Sequence, residues 1–341
     1  MTAYFIRRLL LMIPTLLGIT FLVFTITRLV PGGPIEQIIV KAQQGGLGEA
    51  GTSGVGTKIA IPEKILEGLK KHYHLDKPTW QAYSLWLKDV LSLDFGTSYK
   101  YNTPVLDVIS KRFPISMYFG LIGFLLAYLV CIPLGVTKAI KHGGAFDFCS
   151  SAIVFMGYSI PGWALGAVLL VFLGGGSFLD LVPLGGFRSQ NWDELGLIDK
   201  VLDQIHHTIL PVTAYAMGSF AALTILTKNS LMENLSQDYV RTAFAKGLPE
   251  HRVIFLHTLR NSLIPLCTGL GHAIGIIMAG SYLIEKVFNI DGIGYLGYTS
   301  IIERDYAVVM GVLVINTLLI LLGNILSDVL YVLVDPRIRF Q

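Results

Sequence analysis

Residues 236–265 read SQDYVRTAFAKGLPEHRVIFLHTLRNSLIP, a polar stretch that lies between two long apolar segments. Its residue types predict a short helix followed at once by another. Ser236 is a good N-cap, Asp238 suits the positive end of a helix dipole, and Gly247 can take the left-handed conformation that ends a helix. Pro249 then opens the second helix.

The first of these short helices is predicted to be amphipathic. One side carries small or apolar residues at helical spacing, namely Val240, Ala243, Phe244, Gly247 and Leu248. An isolated helix of roughly ten residues is marginal in water, so this one needs something to pack against. It could lie on lipid, brace its own protein, or dock onto a soluble partner. Its short, mixed exposed side argues against lipid, and the residues alone leave bracing and docking open.

The apolar segments on both sides of this stretch belong to a series of six. Each is nearly free of charge over roughly 20 residues, long enough to cross a hydrocarbon core of about 30 Å as a helix. The chain has 53% hydrophobic and 14% charged residues, a balance that suits lipid rather than water. The predicted spans are residues 9–30, 113–137, 148–173, 210–227, 263–284 and 308–334.

The distribution of basic residues predicts the orientation of the spans, because cytoplasmic loops of membrane proteins carry an excess of Lys and Arg. With a cytoplasmic N-terminus, eleven basic residues fall in cytoplasmic segments and four in the two short external loops. We therefore expect both termini in the cytoplasm. The eleven are Arg7, Arg8, Lys138, Lys141, Lys228, Arg241, Lys246, Arg252, Arg260, Arg337 and Arg339, and the four are Arg188, Lys200, Lys286 and Arg304.

These spans divide the chain into four regions. Residues 1–30 form a retained anchor helix, because their apolar run is too long for a signal peptide. Residues 31–112 form an external region with short helices. Residues 113–335 form the main transmembrane domain with a cytoplasmic loop at 228–262, and residues 336–341 form a cytoplasmic tail.

Two amphipathic stretches predict the short helices of the external region. Pro62 opens the first. In the second, apolar residues recur at three- and four-residue steps, and Gly96 supplies a stop signal. The recurring residues of the second stretch are Trp80, Tyr83, Leu87 and Val90.

Several polar residues fall within the apolar spans, where an unpartnered polar group is costly. His272, Asn316 and Asn324 are candidates for a substrate pathway. The alternative is that they hydrogen-bond between helices, and Asp328, near a span end, could reach interfacial water.

The sequence contains no recognisable catalytic or metal-binding motif. There is no HExxH, GxSxG or GxxxxGK[ST] motif, so neither catalysis nor ATP binding by this chain is expected. The cysteines Cys131, Cys149 and Cys267 match no metal site and are interpreted as small packing residues. No helix carries the arginine series of a voltage sensor, whereas an ion-coupled secondary transporter is harder to exclude from hydropathy.

Taken in order along the chain, several motifs resemble the permease subunits of dipeptide and oligopeptide ABC importers. The resemblance is closest to the branch that imports microcin C and related peptides. It implies an all-α integral membrane protein of the type I ABC importer permease fold, with six transmembrane helices, in the bacterial inner membrane. The motifs are HLDKP at 74–78, QAYSLWL at 81–87, YVRTAFAKGL at 239–248, LRNSLIP at 259–265, DGIGYLG at 291–297, RDY at 304–306 and DPRIR at 335–339.

The resemblance also implies a role for the short amphipathic helix. In such permeases this stretch looks like the coupling helix, which sits in a cleft of the cytoplasmic ATPase, and this favours docking. Arg241 and Thr242 stand where the general family pattern has Glu and Ala. The implied coupling residues are Tyr239, Val240, Arg241, Thr242, Ala243, Phe244, Ala245, Lys246, Gly247 and Leu248.

The same resemblance implies the partners. The chain is expected to form half of a peptide pathway with a second homologous permease. Two cytoplasmic ABC ATPase subunits, or one fused ATPase, would bind and hydrolyse ATP, so the chain itself needs no cofactor or metal. A periplasmic or lipid-anchored peptide-binding protein would deliver the peptide. Membrane lipid surrounds the chain, and no nucleic acid partner is implied.

Overall fold

The computed structural model describes residues 2–29, 76–176, 178–267 and 280–334, and within these ranges the chain is helical and contains no β-strand. This confirms the predicted all-α class. The helices are α1 (Thr2–Leu29), α2 (Thr79–Leu91), α3 (Val105–Ile140), α4 (Ala145–Ser159), α5 (Gly162–Leu173), α6 (Leu197–Leu235), α7 (Asp238–Ala245), α8 (Glu250–Arg252), α9 (Leu259–Ser262), α10 (Tyr282–Val287), α11 (Ile293–Ile302) and α12 (Tyr306–Val334). A 3-10 turn covers Trp192–Glu194, and a π-helical turn, Val253–Thr258, joins α8 to α9.

Four described helices are long and apolar enough to cross a membrane, namely α1, α3, α6 and α12. They correspond to the first, second, fourth and sixth predicted spans. The fifth predicted span, 263–284, contains residues 268–279, which lie outside the described residues. The total of six spans therefore stays a prediction.

The third predicted span, 148–173, is a bent pair of helices and not one continuous helix, although the pair together is long and apolar enough to be counted as one span. Its two halves, α4 and α5, meet at a bend of 94°. Ile160 lies at the break with φ −101° and ψ 119°, the extended backbone that a residue before proline prefers, and Pro161 has no N–H to continue the helix. The next residue, Gly162, lies so close to α6 that a Cβ there would approach the Ala214 carbonyl oxygen to 2.3 Å.

The chain forms two compact units. The first comprises residues 1–9, 112–296 and 316–341, and the second comprises residues 10–111 and 297–315. The first unit is built around a buried apolar cluster contributed by α3, α6, α10 and the turn that follows α10. Its buried members are Phe119, Leu210, Val212, Ala214, Ile284, Phe288 and Ile290.

Helices α3 and α6 approach each other closely within the first unit because glycines face larger residues. A Cβ at Gly123 would lie 2.6 Å from the Cβ of Tyr215, and one at Gly135 would lie 2.6 Å from the Cβ of Thr227. Small residues allow such approach in membrane proteins, where packing rather than water expulsion drives helix association. The α3–α6 pair therefore forms the frame on which the functional segments are mounted.

The second unit contains α2, the external amphipathic helix predicted from the sequence. It begins as expected, but it ends at Leu91 and not at Gly96. Tyr83 of α2 donates its hydroxyl to the Leu17 carbonyl of α1 at 3.1 Å, and its ring contacts Phe21 edge-on. The first predicted external helix, opened by Pro62, lies outside the described residues.

A buried ion cluster ties α3, α4 and α6 together in the first unit. Both carboxylate oxygens of Asp147 accept hydrogen bonds from the Lys228 ammonium, at 2.8 and 2.7 Å. Lys138, whose side chain is 1% exposed, lies 3.3 Å from the same carboxylate. It also donates to the hydroxyls of Ser150 and Ser151 at 2.9 and 2.7 Å. One anion therefore balances two cations that have little access to water.

Replacing Asp147 by Asn should destabilise the protein strongly, because a neutral amide leaves two cations without their counter-charge. We expect Asp147→Asn to lower the midpoint of thermal unfolding in detergent by about 5 °C or more. The control is Asp193→Asn, an exposed carboxylate between α5 and α6, which should change the midpoint little. Equal midpoints for the two variants would contradict a stabilising role for the cluster.

Candidate functional site

The segment between α6 and α9, predicted to be cytoplasmic, begins differently from its sequence-based prediction. Ser236 does not cap α7; it is the C-cap of α6, and its hydroxyl donates to the Glu233 carbonyl at 2.7 Å. Ser236 has helical backbone angles, φ −80° and ψ −8°, so its side chain bonds back into α6. Gln237, with extended backbone, is the N-cap of α7.

The end of α7 is confirmed in detail. Gly247 has φ +77°, the left-handed conformation predicted for it. Its N–H donates to the Phe244 carbonyl at 2.9 Å, and the Leu248 N–H donates to the Ala243 carbonyl at 3.3 Å. This pair of bonds is a Schellman motif, which satisfies carbonyls that the helix end would otherwise leave unpaired.

One side of α7 is braced by its own chain. Val240 and Ala243 are buried and form a cluster with Val253, the first residue of the π-helical turn. Leu235 and Leu248 pack around this cluster. The brace therefore supplies the packing that a helix of this length requires.

The other side of α7 is open. Phe244 was predicted to lie on the packed side, but it is 45% exposed, because the brace is a narrow stripe and Phe244 projects beyond it. Tyr239 is 39% exposed. Arg241 is exposed beside Asp238 at 3.6 Å, a surface ion pair of little stabilising value. Tyr, Arg and Phe are residue types enriched at protein interfaces, and here all three are exposed.

A π-helical turn lies directly behind α7 and continues the buried path toward α6. Within it, the Thr258 hydroxyl donates to the Val253 carbonyl at 3.0 Å. The Ser262 hydroxyl donates to the Thr258 carbonyl at 2.9 Å, and the Ser262 carbonyl accepts from Ser230 of α6 at 2.8 Å. Single π-helical turns inside helices are frequent at functional sites. Pro249 and Glu250 predicted a helix here, but no feature of the sequence indicated that part of it would be π-helical.

The intramembrane candidates from the sequence do not form a common site in the described residues. His272 lies outside those residues. The side-chain oxygen of Asn316 is buried and has no hydrogen-bond partner in the described part of the chain. Asn324, on the same helix, has an interaction partner. Asp328 forms an ion pair with Arg8 of α1 and therefore links two helices instead of reaching water.

Asp147 and Glu285 are buried carboxylates that the sequence did not identify as site candidates. Both directly adjoin the ends of predicted spans, Asp147 before 148–173 and Glu285 after 263–284. A charge at a span end is ordinarily interpreted as facing interfacial water, and this is why neither was selected. Hydrogen bonds from distant helices, which the sequence does not reveal, hold both of them in place.

The family described as "Binding-protein-dependent transport system inner membrane component" matches residues 131–340, more than half of the chain. The chain belongs to this family. It is an inner membrane component of an ABC transporter, and its partners include ATPase subunits, which hydrolyse the ATP, and a binding protein. The matched region contains α7, the π-helical turn and Glu285.

The sequence similarity of this permease to its relatives covers its whole length. It is 42% identical to the inner membrane ABC transporter permease protein YejB of Escherichia coli O157:H7, with both chains fully covered. It is 37% identical to the peptidoglycan transport system permease protein YejB of Agrobacterium fabrum, covering 100% of this chain and 99% of the other. It is 36% identical to the oligopeptide transport system permease protein AppB of Bacillus subtilis, again with both chains fully covered.

Reversing the charge of Arg241 should reduce transport without unfolding the permease, because its side chain is 75% exposed and braces nothing. We expect Arg241→Glu to lower ATP-driven uptake into vesicles by about tenfold, the cost of an unfavourable charge in an interface. Lys141→Glu, an exposed basic residue in the α3–α4 loop, is the charge-matched control and should transport normally. Normal uptake by Arg241→Glu would contradict a docking role for this face.

The glycine that ends α7 allows a test of backbone geometry alone. A Cβ at Gly247 would meet no atom within 4 Å, so a substitution there is opposed only by the positive φ. A β-branched residue tolerates this conformation poorly, whereas asparagine adopts it readily. We therefore expect Gly247→Val to reduce uptake and Gly247→Asn to retain most of it, at equal membrane content. Equal uptake by both variants would argue against the geometry of this turn as the requirement.

Proposed function

We propose that this chain is one of two permease subunits of an ATP-driven importer of peptides and forms half of the pathway across the membrane. The observation that carries the proposal is similarity over the full length of both chains. Relatives matched in this way include an oligopeptide permease and a dipeptide permease of Bacillus subtilis, at 36% and 34% identity. The alternative of an ion-coupled secondary transporter has no comparable support.

The proposed assembly contains a second, homologous permease and either two ABC ATPase subunits or one fused ATPase. A periplasmic or lipid-anchored protein binds the peptide and delivers it. We propose that both termini and α7 lie in the cytoplasm, in agreement with the distribution of basic residues. The docking residues are those at 239–248, with Tyr239, Arg241 and Phe244 presented to the ATPase.

The contacts around α7 support a mechanical route for coupling. When ATP binding closes the two ATPase domains, a helix seated in one of them moves as a rigid body. Val240 and Ala243 would press this motion onto Val253, with which they share a buried cluster. The π-helical turn and the Ser262–Ser230 hydrogen bond would carry it to α6. Since α6 is packed tightly against α3, the membrane helices would move together.

The pathway itself is proposed to involve His272, Asn316 and Asn324. Asn316 has the best-supported role of the three, because its buried oxygen lacks a partner among the described residues. An amide oxygen accepts hydrogen bonds, and a peptide offers a backbone N–H at nearly every residue. Such a contact is independent of side chains and would suit a carrier of varied peptides.

Reconstitution of the permease with its second permease, ATPases and binding protein tests the proposed function. We expect ATP hydrolysis to rise when the loaded binding protein is added, and the substrate panel should contain linear oligopeptides, a microcin C-like peptide and peptidoglycan-derived peptides. Sugars of similar size are the control and should have no effect. Stimulation by sugars alone would overturn the peptide assignment, whereas the pattern among peptides would define the cargo.

A further inference from the structure

Glu285 of α10 is a fully buried carboxylate that connects three parts of the first unit. Its Oε1 accepts the Ser116 hydroxyl of α3 at 2.7 Å, and its Oε2 accepts the Tyr295 backbone N–H at 2.6 Å. The hydroxyl of Tyr215 in α6 lies 3.5 Å from Oε1 as a longer donor. Residues 280–296, here called the external segment, are therefore attached to both α3 and α6 through one side chain.

The donors to Glu285 are themselves held by the external segment. Ser116 accepts the Ile293 N–H at 2.7 Å, and Tyr215 accepts the Ser281 N–H at 3.1 Å. Each hydroxyl thus bonds the carboxylate on one side and the segment backbone on the other. The network joins both ends of the external segment to the α3–α6 frame.

Two glycines of the external segment, Gly280 and Gly292, lie directly against this carboxylate. Gly280 has φ +73°, and a Cβ there would lie 2.4 Å from Oε1. A Cβ at Gly292 would lie 2.5 Å from Oε1 and 2.4 Å from the Ser116 hydroxyl. This close fit gives a physical reason for Gly292 in the 291–297 motif.

No Lys, Arg or His side chain in the described part of the chain pairs with Glu285. The groups that face it from α3, α6 and the external segment are the two hydroxyls and backbone N–H groups. The nearby cations are engaged elsewhere: Lys286 lies over the Tyr295 ring and Arg112 pairs with Asp291 at 2.7 Å. Burial raises the pKa of Glu285 to about 7, against the opposing effect of its hydrogen-bond donors.

We propose that Glu285 is a proton-sensitive latch that holds the external segment against α3 and α6 and releases it when the carboxyl group ionises. The proposal rests on the proposed function, since an importer must open its pathway to the exterior once in each cycle. Opening would expose the carboxylate to water, where its charge is solvated and needs none of these donors. Protons outside the cell would then act as a ligand of the closed state.

The direction of the pH effect follows from linkage. The pKa of Glu285 is about 7 in the closed state and returns to its ordinary value of 4.5 when the group is hydrated. The closed state therefore binds the proton more tightly. Protonation of Glu285 therefore stabilises the closed state fully at a pH below 4.5, and this stabilisation is lost as the pH rises through about 7. Raising the external pH from 6 to 8 should increase the ratio of open to closed segment about tenfold.

Thiol labelling measures this opening directly. Cys131, Cys149 and Cys267 are replaced by alanine, and Ile290→Cys places one thiol at a buried position of the external segment. The reconstituted complex is labelled from outside with a membrane-impermeant maleimide, and labelling of this chain is resolved on a gel. The exposed variant Asp193→Cys corrects for the intrinsic pH dependence of the thiol reaction.

We expect the corrected labelling rate to rise about tenfold between pH 6 and 8 with Glu285 present and to stay flat in Glu285→Gln. A flat profile with Glu285 present, or the same rise in both proteins, would overturn the latch.

If Glu285→Gln fails to assemble, the Ser116→Ala variant tests the latch instead. It removes a 2.7 Å donor to the carboxylate and should move the midpoint to higher pH, whereas an unchanged midpoint overturns the proposal. Labelling requires no transport, so failure here leaves the peptide assignment to its own test.

Discussion

The contact of Val240 and Ala243 with Val253 is the interaction on which the rest of this account depends. A helix of eight residues is unstable by itself in water, so α7 exists because one side of it is fixed to its own protein. The same contact leaves Tyr239, Arg241 and Phe244 facing outward. Bracing is therefore observed on one side of this short helix, and the opposite, exposed side is the one proposed to dock.

Buried charge at the ends of the membrane segments is the second constraint. Asp147 holds α3, α4 and α6 together through two lysines, and Glu285 holds the external segment through hydroxyls and backbone N–H groups. The two sites differ in how the charge is compensated. The Asp147 cluster contains cations and favours a fixed structure, whereas Glu285 has donors alone and can lose its charge by binding a proton. Their different chemistry suits a rigid frame at one end and a movable segment at the other.

The sequence predicted what depends on composition and local geometry. Long apolar runs identified α1, α3, α6 and α12, and Gly247 marked the end of α7 before any contact was known. The sequence did not predict the 94° bend at Pro161, because hydropathy carries no information on the direction of the helix axis. Nor did it predict the π-helical turn, which depends on packing. Asp147 and Glu285 were missed because a charge at the end of a span is ordinarily expected to face water, and the sequence does not show that other helices cover them. For Glu285, Ser116 is 169 residues distant, so only the folded chain reveals the site.

Cross-linking tests whether α7 docks onto the ATPase and transmits its motion to the membrane helices. Thr242, exposed on the open side of α7, is replaced by cysteine in a chain without its native cysteines, and single cysteines are introduced around the cleft of the partner ATPase. If α7 docks in the cleft, we expect a disulfide with the ATPase, together with a loss of uptake that reduction restores. Failure of every cleft position to cross-link in a complex that transports normally would contradict it.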